Sequence, residues 1–257
     1  MTRWWHVSWK RVGIALLIVF LTPPLLAGIG YLMLRQLRPW LMAREIVATY
    51  PEINSVPVLL PDNRIATLSG GRIERFGYSL QLPWKDIVLD RIVQDIAFLT
   101  SKSDVTISLR DPFSDSDSAK SMRYWAKLVP AFNEEPLRSN YVLWSAALAE
   151  RPEQVKWWKT PNQNAMDFDL LLMKETQTQL MEHGILYAVS FNEVRGFQQG
   201  NPSIAPYDVR LDLFDSVGQH YEIKITPRRA GAISQEEINA MMASLRPISG
   251  NSLTAAP

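Results

Sequence analysis

Ile185 to Ile225 reads ILYAVSFNEVRGFQQGNPSIAPYDVRLDLFDSVGQHYEIKI, and the spacing of its apolar residues decides the fold class. Ile185, Tyr187, Val189 and Phe191 fall on alternate positions, as do Tyr207, Val209, Leu211 and Leu213, and then Tyr221, Ile223 and Ile225. A period of two puts those side chains on one face of a strand, so three antiparallel strands with a buried face are predicted. The alternate positions of the last two strands hold Asp208, Arg210 and Asp212 beside His220, Glu222 and Lys224. They predict an exposed, charge-mixed face on which opposite-sign pairs can form across the strands.

On both sides of this stretch the period changes to that of a helix. After it, Ser234 with Glu237 makes a capping box, Ile233 with Ile238 a hydrophobic staple, and Ile238, Met241, Met242 and Leu245 an apolar stripe. Pro247 ends that helix, and 248–257 reads as a disordered tail. Before it, a helical block over 114–183 carries Met122, Trp125 and Val129, then Tyr141, Trp144 and Leu148. Its third helix is capped by Thr160 with Gln163, opens on Pro161, is striped by Met166, Leu170, Met173 and Leu180 or Met181, and closes at Gly184. Earlier still, Ile92 to Thr100 and Val105 to Leu109 read as strands around the polar turn Ser101 to Asp104. Arg64 to Leu68 and Arg72 to Leu82 read as a hairpin turned at Ser69-Gly70-Gly71. The sum is a single α+β domain over 62–247, an antiparallel sheet packed against helices.

Two stretches carry a family likeness. Phe76-Gly77-Tyr78-Ser79-Leu80-Gln81-Leu82-Pro83-Trp84 resembles the early strand of PsbP-like domains, and Ile238 to Leu245 resembles their closing helix. The block between Ser114 and His183 departs from that pattern as an insertion. The resemblance implies an α/β/α sandwich and a non-enzymatic accessory module acting beside a membrane complex. It transfers no functional residue.

The N-terminus sets the location. Val12 to Leu34 contains no charged side chain across 23 residues, about 34 Å of helix against a hydrocarbon core of about 30 Å. The basic, Trp-rich flank 1–11 holds Trp4, Trp5 and Trp9, and Tyr31 and Trp40 stand at the other end, as aromatic belts do at the two interfaces. A transmembrane anchor over 12–34 is therefore expected, in preference to a cleaved signal peptide whose nearest small-x-small site is Gly28-Ile29-Gly30. Arg3, Lys10 and Arg11 on one side balance Arg35, Arg38 and Arg44 on the other, so the positive-inside rule does not orient it. Pro23-Pro24 divides the run into apolar halves, and two forms follow: one kinked span, or a re-entrant hairpin that returns both flanks to the cytoplasm. The kinked span is preferred and puts the domain outside the cytoplasm, periplasmic or extracellular. Four X-Pro pairs predict a largely extended tether over 35–61, with a short interfacial helix around Trp40 to Thr49.

Charge and residue chemistry narrow the function. Met1 to Glu45 holds six of the 27 basic and one of the 26 acidic residues, leaving 21 against 25 beyond it; that balance of −4 argues against a nucleic-acid partner. The absence of cysteine removes thiolate chemistry and cysteine-ligated metals. No nucleophile-elbow, zinc-protease, phosphate-loop or dinucleotide signature occurs, and no cofactor is expected. His6 belongs to the anchor flank, His183 caps a helix end, and His220 lies on the polar strand face. Asp111, Asp115 and Asp117 lack EF-hand spacing and read as a solvated, helix-capping loop rather than a calcium site. Trp157-Trp158, between Lys156 and Lys159, is the candidate protein-contact surface, since neighbours on a helix cannot share one core face; burial of both rings between helices is the preferred reading, as tryptophan is usually buried. The expected function is a membrane-anchored, non-enzymatic accessory or scaffold domain of the cell envelope that binds another membrane or envelope protein. The rivals are an anchored hydrolase using scattered carboxylates and a cytoplasmic interaction domain hung from the hairpin.

Overall fold

The computed structural model describes residues 9–61, 63–101, 104–111, 139–177 and 184–248, with side chains from Phe20 onward except Leu32. The chain enters on one continuous helix, α1 (Trp9–Thr49), which runs through Pro23, Pro24 and Pro39. At about 1.5 Å per residue its 41 residues measure about 60 Å. There is no reversal at Pro23-Pro24; the helix expected around Trp40 to Thr49 is present as the end of α1, and residues 35–39 before it are helical instead of extended because the last turns pack on the domain. Ala43 is fully buried with Ile53, Val155 and Leu171, and Trp40, Ile46 and Val47 pack around them. Among the described residues no helix is long and apolar enough to cross a membrane. The described side chains of α1 leave out the first eight residues of the 23-residue apolar run, Val12 to Val19.

An eight-stranded sheet forms the centre. Its strands are β1 (Val58–Leu59), β4 (Val88–Val93), β5 (Ile96–Ser101), β6 (Val105–Arg110), β7 (Leu186–Phe191), β8 (Val194–Gln199), β9 (Val209–Asp215) and β10 (His220–Pro227). Their order is β1-β7-β8-β9-β10-β6-β5-β4, antiparallel at every pairing except β1 with β7. A small second sheet, β11-β3-β2, is built from β2 (Arg72–Arg75), β3 (Tyr78–Gln81) and β11 (Arg246–Pro247). Three further helices complete the domain: α2 (Asn140–Ala149), α3 (Pro161–Gln177) and α4 (Gln235–Ser244).

The period-two positions of the sheet face the main core. Ile107, Leu109, Val209, Leu211, Leu213, Tyr221, Ile223 and Ile225 meet Tyr78, Leu80 and Leu82 of β3 and Ile238, Met241 and Met242 of α4. The α4 box forms in full: Glu237 N–H donates to Ser234 Oγ at 3.2 Å, and Ser234 N–H donates to Glu237 Oε2 at 2.8 Å. The other sheet face is not the open polar surface that alternation predicts. At the β7-β8-β9 end α2 and α3 cover it, with Leu143, Trp144, Leu148, Leu170 and Met173 on Leu186, Phe197 and Phe214.

Several expected elements shift. Ile92 to Thr100 is a hairpin, because Gln94 takes a positive φ of 55° and reverses the chain. Arg72 to Leu82 likewise turns at Phe76-Gly77, both at positive φ, whereas Arg64 to Leu68 forms no strand. Gly70 is required for closeness instead: a Cβ there would lie 2.3 Å from the Leu82 and Trp84 carbonyl oxygens. Strand β8 was not legible, since Gly196, Phe197, Gln198 and Gln199 are all buried and both faces are covered, which erases alternation. Pro247 ends α4 but pairs with Tyr78 as a short strand. The helix expected at Met122 to Val129, the end of the third helix and 249–257 lie outside the described residues.

Candidate interaction and polar sites

Four places could bear function. The first is the sheet edge at β4. All six of its residues are exposed, on both faces, and Val88, Leu89, Ile92 and Val93 are apolar. Among the described residues the strand pairs with β5 on one side only, and Asp90 is an extra residue between Leu89, opposite Leu99, and Arg91, opposite Phe98. An edge of this kind offers backbone donors and acceptors together with apolar contact area.

The second is Trp157-Trp158. The two rings meet edge to face, with centroids 5.8 Å apart, and are 41% and 63% exposed. Neither is buried between helices, because the pair sits in the turn between the 3-10 helix Pro152–Gln154 and α3. Lys156 Nζ lies 5.3 Å from the Trp158 ring centroid, and Lys159 is paired with Asp167. Of the other aromatic positions, Tyr31 is exposed on α1 and Trp40 packs beside Ala43 with the Arg44 guanidinium 4.7 Å above its ring. Trp4 and Trp5, and the side chain of Trp9, lie outside the described residues.

The third is the network around Asp212, which the structure buries where an exposed surface was expected. Asp212 is fully enclosed; its Oδ1 accepts from Arg210 Nη2 at 3.1 Å and from His220 Nε2 at 3.0 Å, and its Oδ2 accepts from Gln199 Nε2 at 3.1 Å. Burial alone would raise the carboxyl's pKa, but Arg210 and His220 reverse this and hold it below the ordinary value. The ionised carboxylate accepts, so Nε2 of His220 carries the proton. The imidazole is stacked on Phe214, centroids 4.6 Å apart, and is covered by Trp144 of α2 at 5.3 Å. This His-Asp pair is buried within the sheet, with Trp144 of α2 packed on its imidazole.

Register explains the rest of that network. Like charges stand directly opposite, Glu222 to Asp212 and Lys224 to Arg210. The opposite-sign contacts run diagonally instead, Arg210 to Glu222 at 3.4 Å and Lys224 to Asp208 at 3.7 Å. Arg110 of β6 adds a second cation on Glu222 at 3.1 Å and reaches Asp95 at 2.8 Å. Asp111 lies just past β6, with its carboxyl raised by burial and by Asp95. Asp115, Asp117, His6 and His183 lie outside the described residues, among which no group of three metal-ligating side chains occurs.

The fourth place was missed in the sequence. Lys174 of α3 is fully buried, and its Nζ donates to the carbonyl oxygens of Ser55 at 2.7 Å and Glu150 at 2.8 Å. Burial lowers its pKa to about 8. Glu150 beside it is pushed up to about 8 by burial and by Asp167, and its Oε1 has no hydrogen-bond partner. Lys174 thereby ties the segment after α1 to the C-terminal end of α2. The available signal was its position four residues after Leu170, on the apolar stripe of α3.

No known protein family, curated protein or solved structure matches this chain. The geometry therefore has to carry the functional reading. A cleft of about 450 Å³ beside β1 and β7 is lined by Asn54, Ser55, Val56, Val58, Gly184, Ile185, Leu186 and Tyr187. Among the described residues its lining holds no carboxylate, histidine or lysine.

Proposed function

We propose that this chain is a membrane-tethered, non-enzymatic accessory or scaffold domain of the cell envelope that binds another protein. The observation that carries the binding role is β4, an edge strand whose apolar side chains are exposed on both faces. A partner strand added there would hydrogen-bond the free edge and cover Val88, Leu89, Ile92 and Val93. The enzyme reading is disfavoured by the two buried titratable centres, which are sealed by packing, and by the lack of paired acids or bases in the described cleft. The PsbP-like likeness agrees with an accessory role and rests on the two stretches named above.

The tether is supported by the charge-free run Val12 to Leu34 and by what surrounds its second half. Phe20, Leu21, Leu25, Leu26, Ile29, Met33 and Leu34 are all exposed along this helix. So much exposed apolar surface is costly in water and suits a bilayer. Continuity of α1 through Pro23-Pro24 favours one kinked span over a hairpin.

Val88→Lys in intact membranes tests the edge, and alkaline carbonate extraction of the wild type tests the tether. Lysine is a natural edge-blocking residue, and Val88 is exposed, so folding should be unchanged while recovery of a defined crosslinked partner falls several-fold. Equal recovery with Val88→Lys removes β4 as the interface. Release of the wild-type chain by alkaline carbonate removes the tether.

A further inference from the structure

The position of Trp157-Trp158 relative to α1 carries a second interaction. Val155, just before the pair, is buried in the cluster that contains Ala43. Asn164, just after it, donates from Nδ2 to the Gln36 carbonyl at 3.0 Å. The turn that carries the two tryptophans is thus anchored on either side in sequence at the levels of Gln36 and Ala43, two and nine residues beyond Leu34. At about 1.5 Å per residue this is roughly 3 to 14 Å past the end of the apolar run. Headgroup layers occupy about 5–8 Å on each side of the hydrocarbon core, so the rings fall at that depth.

Charge at this level has one prevailing sign. Arg35, Arg38 and Arg44 of α1 and Lys156 and Lys159 of the turn stand against two acids in the same two segments, Glu45 and Glu153. Asp167, packed nearby on α3, is engaged by Lys159. Arg35 and Arg38 are exposed, and Lys156 lies against the Trp158 ring. Exposed tryptophans interleaved with cations, next to an emerging apolar helix, match the chemistry of an anionic membrane interface.

We propose that Trp157, Trp158 and Lys156 form a foot that rests in the headgroup layer of the leaflet from which α1 emerges, with anionic phospholipid as its occupant. The foot rests on the reading of α1 as an anchor. It gives the domain two attachment points on the bilayer, the helix and the foot, and so fixes its orientation. It also reassigns the pair from protein contact to lipid contact.

The chain has no cysteine, so one introduced thiol labels one site. Full-length Trp158→Cys and, separately, Trp157→Cys carry an environment-sensitive NBD label in vesicles of phosphatidylcholine with phosphatidylglycerol and a headgroup-proximal spin-labelled lipid. Val217→Cys is the reference; it is 80% exposed in the β9-β10 turn, where the Gly218 carbonyl meets Asn140 at the end of α2 remote from Glu150. Quenching several-fold stronger at 157 and 158 than at 217, and weaker when phosphatidylglycerol is omitted, is the expected result. Retention of the chain after carbonate extraction with 158 no more quenched than 217 overturns the foot alone. Release by carbonate overturns the anchor, and the foot with it. A label unquenched by lipid but shielded from aqueous iodide only in native membranes assigns the pair to a protein partner and equally overturns the proposal.

Discussion

At the scale of single residues, the buried charges are the most informative feature. Glu150 has a folded-state pKa of about 8 against an ordinary 4.5, so the folded protein keeps a proton that the unfolded chain releases. A raised carboxyl of this kind stabilises the fold below the unfolded value, and the contribution is lost as pH rises toward about 8. Asp169, raised to about 6 by burial, acts the same way but is spent at lower pH. The lowered carboxyls Asp212 and Asp95 lose their contribution only in acid, below the ordinary carboxylate range. Lys174, lowered to about 8 from 10.5, makes stability rise with pH only above about 8. Between about pH 6 and pH 8 Glu150 therefore dominates, and at 1.36 kcal/mol per pKa unit the loss is at most roughly 2–3 kcal/mol. Glu150→Gln keeps the neutral form at every pH. Its melting temperature should stay level between pH 6 and pH 8 while that of the wild type falls by several degrees; parallel curves for the two proteins would show that Glu150 is ionised in the fold.

At the scale of elements, what was legible depended on how many faces of each element are covered. β9, β10 and α4 each present one face to the main core, so their periods of 2 and 3.6 survive in the sequence. β8 is covered on both faces and has no period. The β4-β5 and β2-β3 turns are made by Gln94 and by Phe76-Gly77, at positive φ on residues other than the expected Gly70-Gly71, so two hairpins were each read as one strand. The helical continuation of α1 through the X-Pro pair at Pro39 was hidden because packing of Ala43, Val47 and Ile46 on α3 and Val155 overrides the local preference for extended backbone. Among the candidate sites, the Trp pair was singled out by its neighbours but expected to be buried, and it is exposed because it lies in a turn and not on a helix, whereas burial of His220 and Asp212 depends on α2 crossing the sheet, a contact that no local pattern encodes. The capping box of α4 is a direct test of a local signal that survived: Ser234→Ala removes the acceptor for the Glu237 N–H and should cost about 1 kcal/mol. A denaturant midpoint unchanged from wild type would show that packing of Ile238 and Met242 alone holds that end.

At the scale of the molecule, α1 and the domain are one mechanical piece, since Ala43 is buried in the domain and Asn164 is bonded to Gln36. A short apolar junction of this kind transmits the direction of the helix to the sheet, so on the proposed reading of α1 as an anchor the side of the membrane reached by Arg35 is also the side of β4, Trp157 and the Asp212 network. The flanking charges are three against three and leave that side undecided by sequence. The kinked single span separates the two ends of the chain, whereas a hairpin keeps them together. Single thiols in the cysteine-free chain distinguish the cases: Val217→Cys, exposed in the β9-β10 turn, and Thr2→Cys in the N-terminal flank. With a membrane-impermeant maleimide on intact cells made permeable to it only across the outer envelope, position 217 should label at once and position 2 only after the inner membrane is opened. Labelling of 2 and protection of 217 inverts the orientation and places the partner of β4 in the cytoplasm. Protection of both until the membrane is opened supports the hairpin and overturns the single span.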